Sequence, residues 1–261
     1  MITIIIIVKS LPRITIQGES VMKFLLKGYV LLIFLVVFTI LSLFVGVSQI
    51  SISDIFHLTD DQLNIILSSR IPRTVSILIS GSTLAIAGLI MQQMMQNKFV
   101  SPTTAGTMEW AKLGILLSLI LFPKGHILIK LIFAVICSIG GTYFFVKLVQ
   151  LIKVKDVIFI PLLGIMLGGI VSSFTTFIAL RTNAVQSIGN WLNGNFAIIT
   201  SGRYEVLYLS IPFLLIIYIF ANHFTIAGMG KDFSHNLGVN YEKIINIALF
   251  ITATITALVV V

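Results

Sequence analysis

A chain of 261 residues with 57% apolar and only 10% charged side chains lies far outside the composition of a soluble globular domain and reads as an integral membrane protein. Its formal net charge of +8 would point to nucleic acid in a soluble protein, but in so apolar a chain the basic residues between hydrophobic runs record membrane topology, and no nucleic-acid partner is expected. The single cysteine, Cys137, excludes a disulfide framework and a cysteine-based metal site, and its place inside an apolar run makes it core filler.

Residues 1–21, MITIIIIVKSLPRITIQGESV, begin with an apolar stretch too short to span a bilayer and pass through Pro12 into polar sequence. The pattern of Lys23, Lys27 and a long apolar run restarts at Met22. The expected start is therefore Met22, with 1–21 a doubtful extension and 22–261 one transmembrane domain.

A hydrocarbon core about 30 Å thick takes roughly 20 helical residues. Apolar runs of that order cover residues 28–47, 74–97, 131–146, 157–180, 206–222 and 244–261, and residues 99–122 add a seventh that carries Glu109 and Lys112. In lipid the backbone must satisfy its own hydrogen bonds, and continuous rather than alternating hydrophobicity excludes barrel strands. The expected fold is all-α, a polytopic transmembrane helical bundle. With the amino end inside, inner loops hold more Lys and Arg than outer ones, by a narrow margin once Lys9 and Arg13 are set aside.

The loop after the first span ends in RIPR, residues 70–73. Pro72 suits the first turn of a helix, which would place Arg70 and Arg73 at a helix entrance on the outer face. Interfacial snorkelling explains such arginines, and so does a partner that presents carboxylates. In the second span Gly81, Ala85 and Gly88 recur at spacings that allow close helix approach. Gln92, Gln93 and Gln96 near its end either line a passage or satisfy one another.

Glu109 and Lys112 stand three residues apart, on one helical face, where each can neutralise the other. An intramembrane ion pair must face protein or water, so the pair either locks two helices or lines a pathway. Residues 181–196 read as a short re-entrant or surface helix with Trp191 and Phe196 at the interface. In the longest inner loop, residues 222–243, Ser234 is placed to cap a short helix and Gly238 to end it. The sequence contains neither a phosphate-binding loop of the G-x-x-x-x-G-K-[ST] type nor an H-E-x-x-H pair, so nucleotide-driven transport would need another chain.

At RIPRTVSILISGSTLAIAGLIMQQMMQNKFVSPTTAGTMEWAKLG the sequence resembles the FecCD-type permeases of bacterial ABC importers, which carry iron(III)–siderophore complexes, haem or vitamin B12. The residues that carry the likeness are Arg70, Pro72, Arg73, Ala87, Gly88, Gln92, Asn97, Pro102, Gly106 and Ala111, with LGVN at 237–240 further on. The form SPTTAGTMEWAKLGI is nearest to a branch associated with catecholate siderophores such as petrobactin.

The resemblance implies a BtuC-like, type II importer permease of about ten spans, of which about seven are present here. It is a multi-pass subunit of the bacterial cytoplasmic membrane, not an enzyme, binding no cofactor itself. ATP would be used by a separate ATP-binding subunit docked on Lys231, Asp232, Ser234, Leu237, Gly238, Val239 and Asn240. An extracytoplasmic siderophore-binding protein would meet Arg70 and Arg73. A second permease subunit, identical or related, would complete a pathway lined by Gln92, Glu109 and Lys112. The family continues past its seventh helix, so this chain is expected to be truncated at its carboxyl end. Two alternatives stay open: an ion-coupled secondary transporter that uses Glu109, and a fragment that inserts without transporting.

Overall fold

The computed structural model describes residues 27–45, 59–152, 159–182, 184, 196, 199–200, 202 and 204–261. The extension 1–21 and most of the polar segment 181–196, Trp191 included, lie outside the described residues. The described residues form helices joined by turns, and the chain divides into two compact units, residues 1–74 and 75–261.

In the first unit, α1 (Gly28–Phe44) is a 17-residue apolar helix that ends where Val45 becomes extended, φ −81° and ψ 120°. Most of its large side chains are exposed, as lipid contact requires. The next helix, α2 (Asp60–Ile65), starts on a capping box: the Thr59 hydroxyl accepts from the Gln62 N–H, and the Gln62 side chain accepts from the Thr59 N–H. Asp60 and Asp61 in the first turn complement the positive end of the helix dipole.

From α2 the chain passes through a π-helical turn (Ile66–Arg70) into α3 (Ile71–Met94). RIPR therefore sits inside a helical run from Asp60 to Met94, not at a helix entrance. Pro72 offers no N–H, and in an α-helix its ring would collide with the carbonyl of Ser68. The wider turn just before it, closed by the Ile71 N–H on the Ile66 carbonyl, absorbs that mismatch.

In the second unit α3 is stopped at Gln96, which adopts φ 49°. The span expected over 99–122 is helical only from Thr107, as α4 (Thr107–Leu121). Pro102 and the left-handed Gly106, φ 75°, hold the preceding residues in turns. Hydroxyls of Ser101 and Thr104 tie that turn together, and the Pro102 carbonyl accepts from both the N–H and the hydroxyl of Thr107.

Two long apolar helices follow, α5 (Ile127–Ile152) and α6 (Phe159–Arg181). Glycines let α4 approach both. A Cβ on Gly114 would lie 2.4 Å from the Phe133 carbonyl oxygen, and one on Gly141 would lie 2.0 Å from the Trp110 ring.

The run expected over 206–222 is broken. A 3-10 turn (Tyr204–Leu209) leads into α7 (Ser210–Ile219), and a 63° bend separates this stretch from α8 (Ala221–Gly228). A short α9 (Lys231–Asn236) precedes α10 (Tyr241–Val260).

The core gathers around α10, which packs against α4, α5, α7 and α8. Residues 251–258, ITATITAL, are all buried. The threonine hydroxyls do not orphan polar groups there, because Thr252, Thr254 and Thr256 donate to carbonyls one turn back. The small residues let Ser138 of α5 donate to the Ala253 carbonyl at 3.0 Å. Toward the other end, Ile244, Ala248 and Ile251 join Ala87, Ile90 and Met94 of α3 and Phe224 of α8 in one apolar cluster.

Among the described residues four helices are long and apolar enough to cross a membrane, or five if the bent pair is one span. Helices α1 and α4 are shorter, at 17 and 15 residues.

Candidate translocation, docking and coupling sites

Glu109 and Lys112, one turn apart on α4, form an ion pair at 2.9 Å. Their side chains keep 24% and 14% exposure, so the pair is largely withdrawn from solvent. Glu109 lies over Gly168 of α6, where an added Cβ would come within 3.5 Å of the Glu109 Cγ. Directly below, Gly164 faces the Thr104 carbonyl so closely that a Cβ would sit 1.9 Å from its oxygen. The pair thus stands where α4 meets α6, held by glycine-permitted backbone contact.

Gln92 belongs elsewhere. It lines an open, mainly apolar groove of about 520 Å³ with Ala85, Gly88, Pro102, Thr103 and Met108. Met108 faces this groove, while its neighbour Glu109, a third of a turn further round α4, faces α6. The three residues expected along one pathway are therefore divided between a groove and a helix contact.

Among the described residues, no helix of this chain packs closely on the face that carries Gly81, Ala85 and Gly88. A Cβ added at Gly81 would meet none of the described residues within 4 Å, Ala85 is exposed, and one added at Gly88 would meet the Pro102 ring at 3.8 Å. The buried side of α3 is the opposite one, through Ser76, Ser80, Thr83, Ala87 and Met91. Spacing identifies a face on which small residues recur, but it does not tell which face the rest of the chain covers.

At the arginine site the two side chains differ. Arg73 is exposed. Arg70 is 7% exposed, and its Nη1 donates to the Leu43 and Phe44 carbonyls at 2.6 and 3.0 Å. These are carbonyls at the end of α1, which lack an intrahelical partner. Beside them the hydroxyls of Ser42 and Thr74 lie 3.3 Å apart.

The coupling segment is compact and shaped by glycine. Gly230, φ 109°, precedes α9 and Gly238, φ 72°, follows it, as expected for the second. Ser234 is not a cap: it lies fully buried inside α9, and its hydroxyl donates to the Gly230 and Ile226 carbonyls, binding α9 to α8. The cap belongs to Asn240, whose Oδ1 accepts from the Lys243 N–H at the start of α10.

Lys231 pairs with Glu242 at 3.1 Å across an exposed surface, and Asp232 is exposed in the first turn of α9. Val239 packs against the core cluster of α3, α8 and α10. Leu237 is 54% exposed, together with Phe233 at 50% and Met229 at 57%. Sequence reasoning missed Phe233 and Met229, although two large apolar residues in a polar loop were the available signal. Gln96, read from sequence as lining a passage or satisfying its neighbouring glutamines, donates its Nε2 to the Gly228 carbonyl at 3.4 Å and joins the end of α3 to this segment.

Beyond Asn240 an open depression of about 500 Å³ runs along α10, lined by Glu242, Lys243, Asn246, Ile247 and Phe250. Among the described residues, no cluster of His, Cys, Asp or Glu is arranged to hold a metal ion.

The family profile of the FecCD transport family matches residues 33–261. The petrobactin import system permease protein YclN of Bacillus subtilis is 49% identical over 88% of this chain and 73% of its own length. The petrobactin import system permease protein FatD of Bacillus anthracis is 39% identical over 86% of the chain and 65% of its own length. The ferric-anguibactin transport system permease protein FatD of Vibrio anguillarum is 34% identical over 84% and 70%.

The chain thus spans roughly two thirds to three quarters of the length of these relatives. A solved structure described as a metal-chelate type ABC transporter, in an inward-facing conformation, superposes with a TM-score of 0.68 at 22% identity, covering 89% of this chain and 74% of that one. That likeness shows the fold of an ABC-transporter permease. On the match across residues 33–261 and on these relatives, the chain is a membrane protein that belongs to the FecCD transport family.

Proposed function

We propose that this chain is the membrane-spanning permease subunit of an ATP-driven importer that carries iron(III)–siderophore, of the petrobactin-like catecholate class, across the bacterial cytoplasmic membrane. The observation that carries the reading is the 49% identity to a petrobactin import permease over nearly all of the matched chain. In this reading the chain catalyses no reaction and binds no cofactor. An ATP-binding subunit hydrolyses ATP and docks on α9 and its flanks, from Lys231 and Asp232 through Leu237 to Asn240. The exposed Phe233 and Leu237 supply the apolar centre that such an interface needs.

An extracytoplasmic siderophore-binding protein docks through the arginine turn. A second permease subunit, identical or related, completes the pathway. Gln92 contributes to that pathway from its groove, and the Glu109–Lys112 pair from the contact between α4 and α6.

Uptake of radiolabelled iron as petrobactin, by cells lacking their own petrobactin permease and supplied with this chain, its ATP-binding subunit and its binding protein, tests the reading. Accumulation that disappears when the ATP-binding subunit is omitted is the expected result. Uptake that persists without that subunit and follows an ion gradient would instead establish an ion-coupled transporter.

A further inference from the structure

The break that ends α3 is a Schellman turn. The Asn97 N–H reaches back to the Gln92 carbonyl at 3.0 Å, and the Gln96 N–H to the Gln93 carbonyl at 3.2 Å. Such a turn needs one residue in the left-handed region, where glycine is favoured because it carries no Cβ. Gln96 holds that place with φ 49°, and among the described residues it alone, apart from glycines, has a positive φ. What glutamine offers there and glycine does not is a side chain.

That side chain leaves α3 for the end of α8. Its Nε2 donates to the Gly228 carbonyl at 3.4 Å. Gly228 abuts the last turn of α3, since an added Cβ would stand 3.2 Å from the Gln93 Cβ, and one added at Gly230 would stand 3.1 Å from the Gln96 Nε2. The buried Ser234 hydroxyl of α9 donates to the Ile226 and Gly230 carbonyls of the same stretch. Residues 226–230 are thus bonded both by α9 and by α3.

Met94 shares an apolar cluster with Phe224 and Ala227 of α8, but apolar contact is non-directional and fixes no register along the helix axis. A hydrogen bond to one defined carbonyl does.

We infer that Gln96 is a positioning residue that couples α3 to the turn between α8 and α9. Displacement of α9 then shifts α3 together with α8, and reaches Gln92 in its groove one turn earlier on α3. This coupling presupposes the proposed docking of an ATP-binding subunit on α9.

Two measurements on the importer assembled with its ATP-binding subunit test this. The first is backbone hydrogen exchange in nanodiscs. Gln96→Gly should speed exchange over residues 226–230 about threefold or more, because a turn that loses a tether opens more readily. Protection of Met95 and Asn97 should not fall and the thermal midpoint should match or exceed that of the parent, because glycine suits the left-handed turn. Unchanged exchange over 226–230 would overturn the clasp.

The second is the amount of iron taken up as petrobactin per ATP hydrolysed, in proteoliposomes supplied with the siderophore-binding protein. Gln96→Gly and Gln96→Glu should each lower this ratio about tenfold, with the ATP-binding subunit still bound and hydrolysis within about twofold of the parent. Glutamate matches glutamine in shape but has no N–H to give the carbonyl. Gln96→Lys keeps a donor and should hold the ratio within about twofold of the parent.

A ratio left intact by both Gln96→Gly and Gln96→Glu, in an importer whose parent needs ATP for uptake, would overturn the coupling role and leave the importer reading in place. A loss shared by Gln96→Lys would overturn it too, since the donated hydrogen bond would then not be what matters. Parent uptake that needs no ATP-binding subunit would refute the importer reading and the coupling role together, and hydrogen exchange alone then decides the clasp.

Discussion

Single residues decide whether the polar chemistry of this permease is tolerable in lipid. Glu109 and Lys112 neutralise each other at 2.9 Å with little exposure left, and removing one partner leaves the other charge without compensation. Glu109→Gln is expected to destabilise the protein by about 2 kcal/mol, below the figure for a fully buried pair because the site keeps some access to solvent. Glu109→Gln combined with Lys112→Met should recover most of that loss, which thermal unfolding of the purified protein as a double-mutant cycle will measure.

The glycines of α6 supply a sharper contrast. At Gly164 a methyl group would lie 1.9 Å from a carbonyl oxygen, whereas at Gly169 it would meet none of the described residues within 4 Å. Gly164→Ala should therefore cost about 3 kcal/mol or prevent folding. Gly169→Ala should be neutral or stabilise by about 0.5 kcal/mol through helix propensity, read from the same unfolding curves. Both glycines look alike in GIMLGG, since the sequence does not reveal which backbone a given helix face meets.

At the scale of elements, what sequence made plain was where helices run, and what it hid was how they begin and end. Each of the seven apolar runs contains helix because lipid leaves the backbone no other hydrogen-bonding partner, although the run over 99–122 is helical only from Thr107 and that over 206–222 is bent. Their ends depend on local competition that residue type alone does not settle. Ser234 has the right chemistry for a cap, yet Gly230 supplies the turn before α9 and leaves the serine inside the helix, where it bonds α8.

Asn240, read from sequence as part of LGVN and of the coupling surface, is the group that caps α10. Asn240→Ala should cost about 1 kcal/mol and speed hydrogen exchange over the first turn of α10, while Asn240→Asp should preserve both. The π-helical turn before Pro72 was hidden for a related reason. Proline at the first turn of a helix and proline behind a widened turn share one sequence signature, and only the capping box at Thr59 shows that the helix has already begun.

Across the whole molecule, one end of the second unit is tied to its core by side-chain bonds between neighbouring helices. The bent α7–α8 pair, the buried Ser234 and the Asn240 cap fix α9 to α8 and α10, and α10 runs from there into the buried centre of its unit. A push on α9 therefore reaches the core through packed helices, not through a free loop. Composition and run length revealed the membrane bundle. They could not reveal this link, in which Ser234 bonds Ile226 of α8 and Gln96 bonds Gly228 from the far end of α3.

If the ATP-binding subunit docks there, its anchors should be the large apolar side chains left exposed on rigid structure, Phe233 and Leu237. Phe233→Glu with Leu237→Glu should lower co-purification of the ATP-binding subunit by about tenfold or more, since a charge replaces an apolar contact at the interface centre. Because both side chains already face solvent, the helical circular dichroism and thermal midpoint of the permease should stay at parent values. Retention of the subunit by this double variant would move the docking surface off α9, toward the depression along α10 that Glu242, Lys243, Asn246 and Phe250 line.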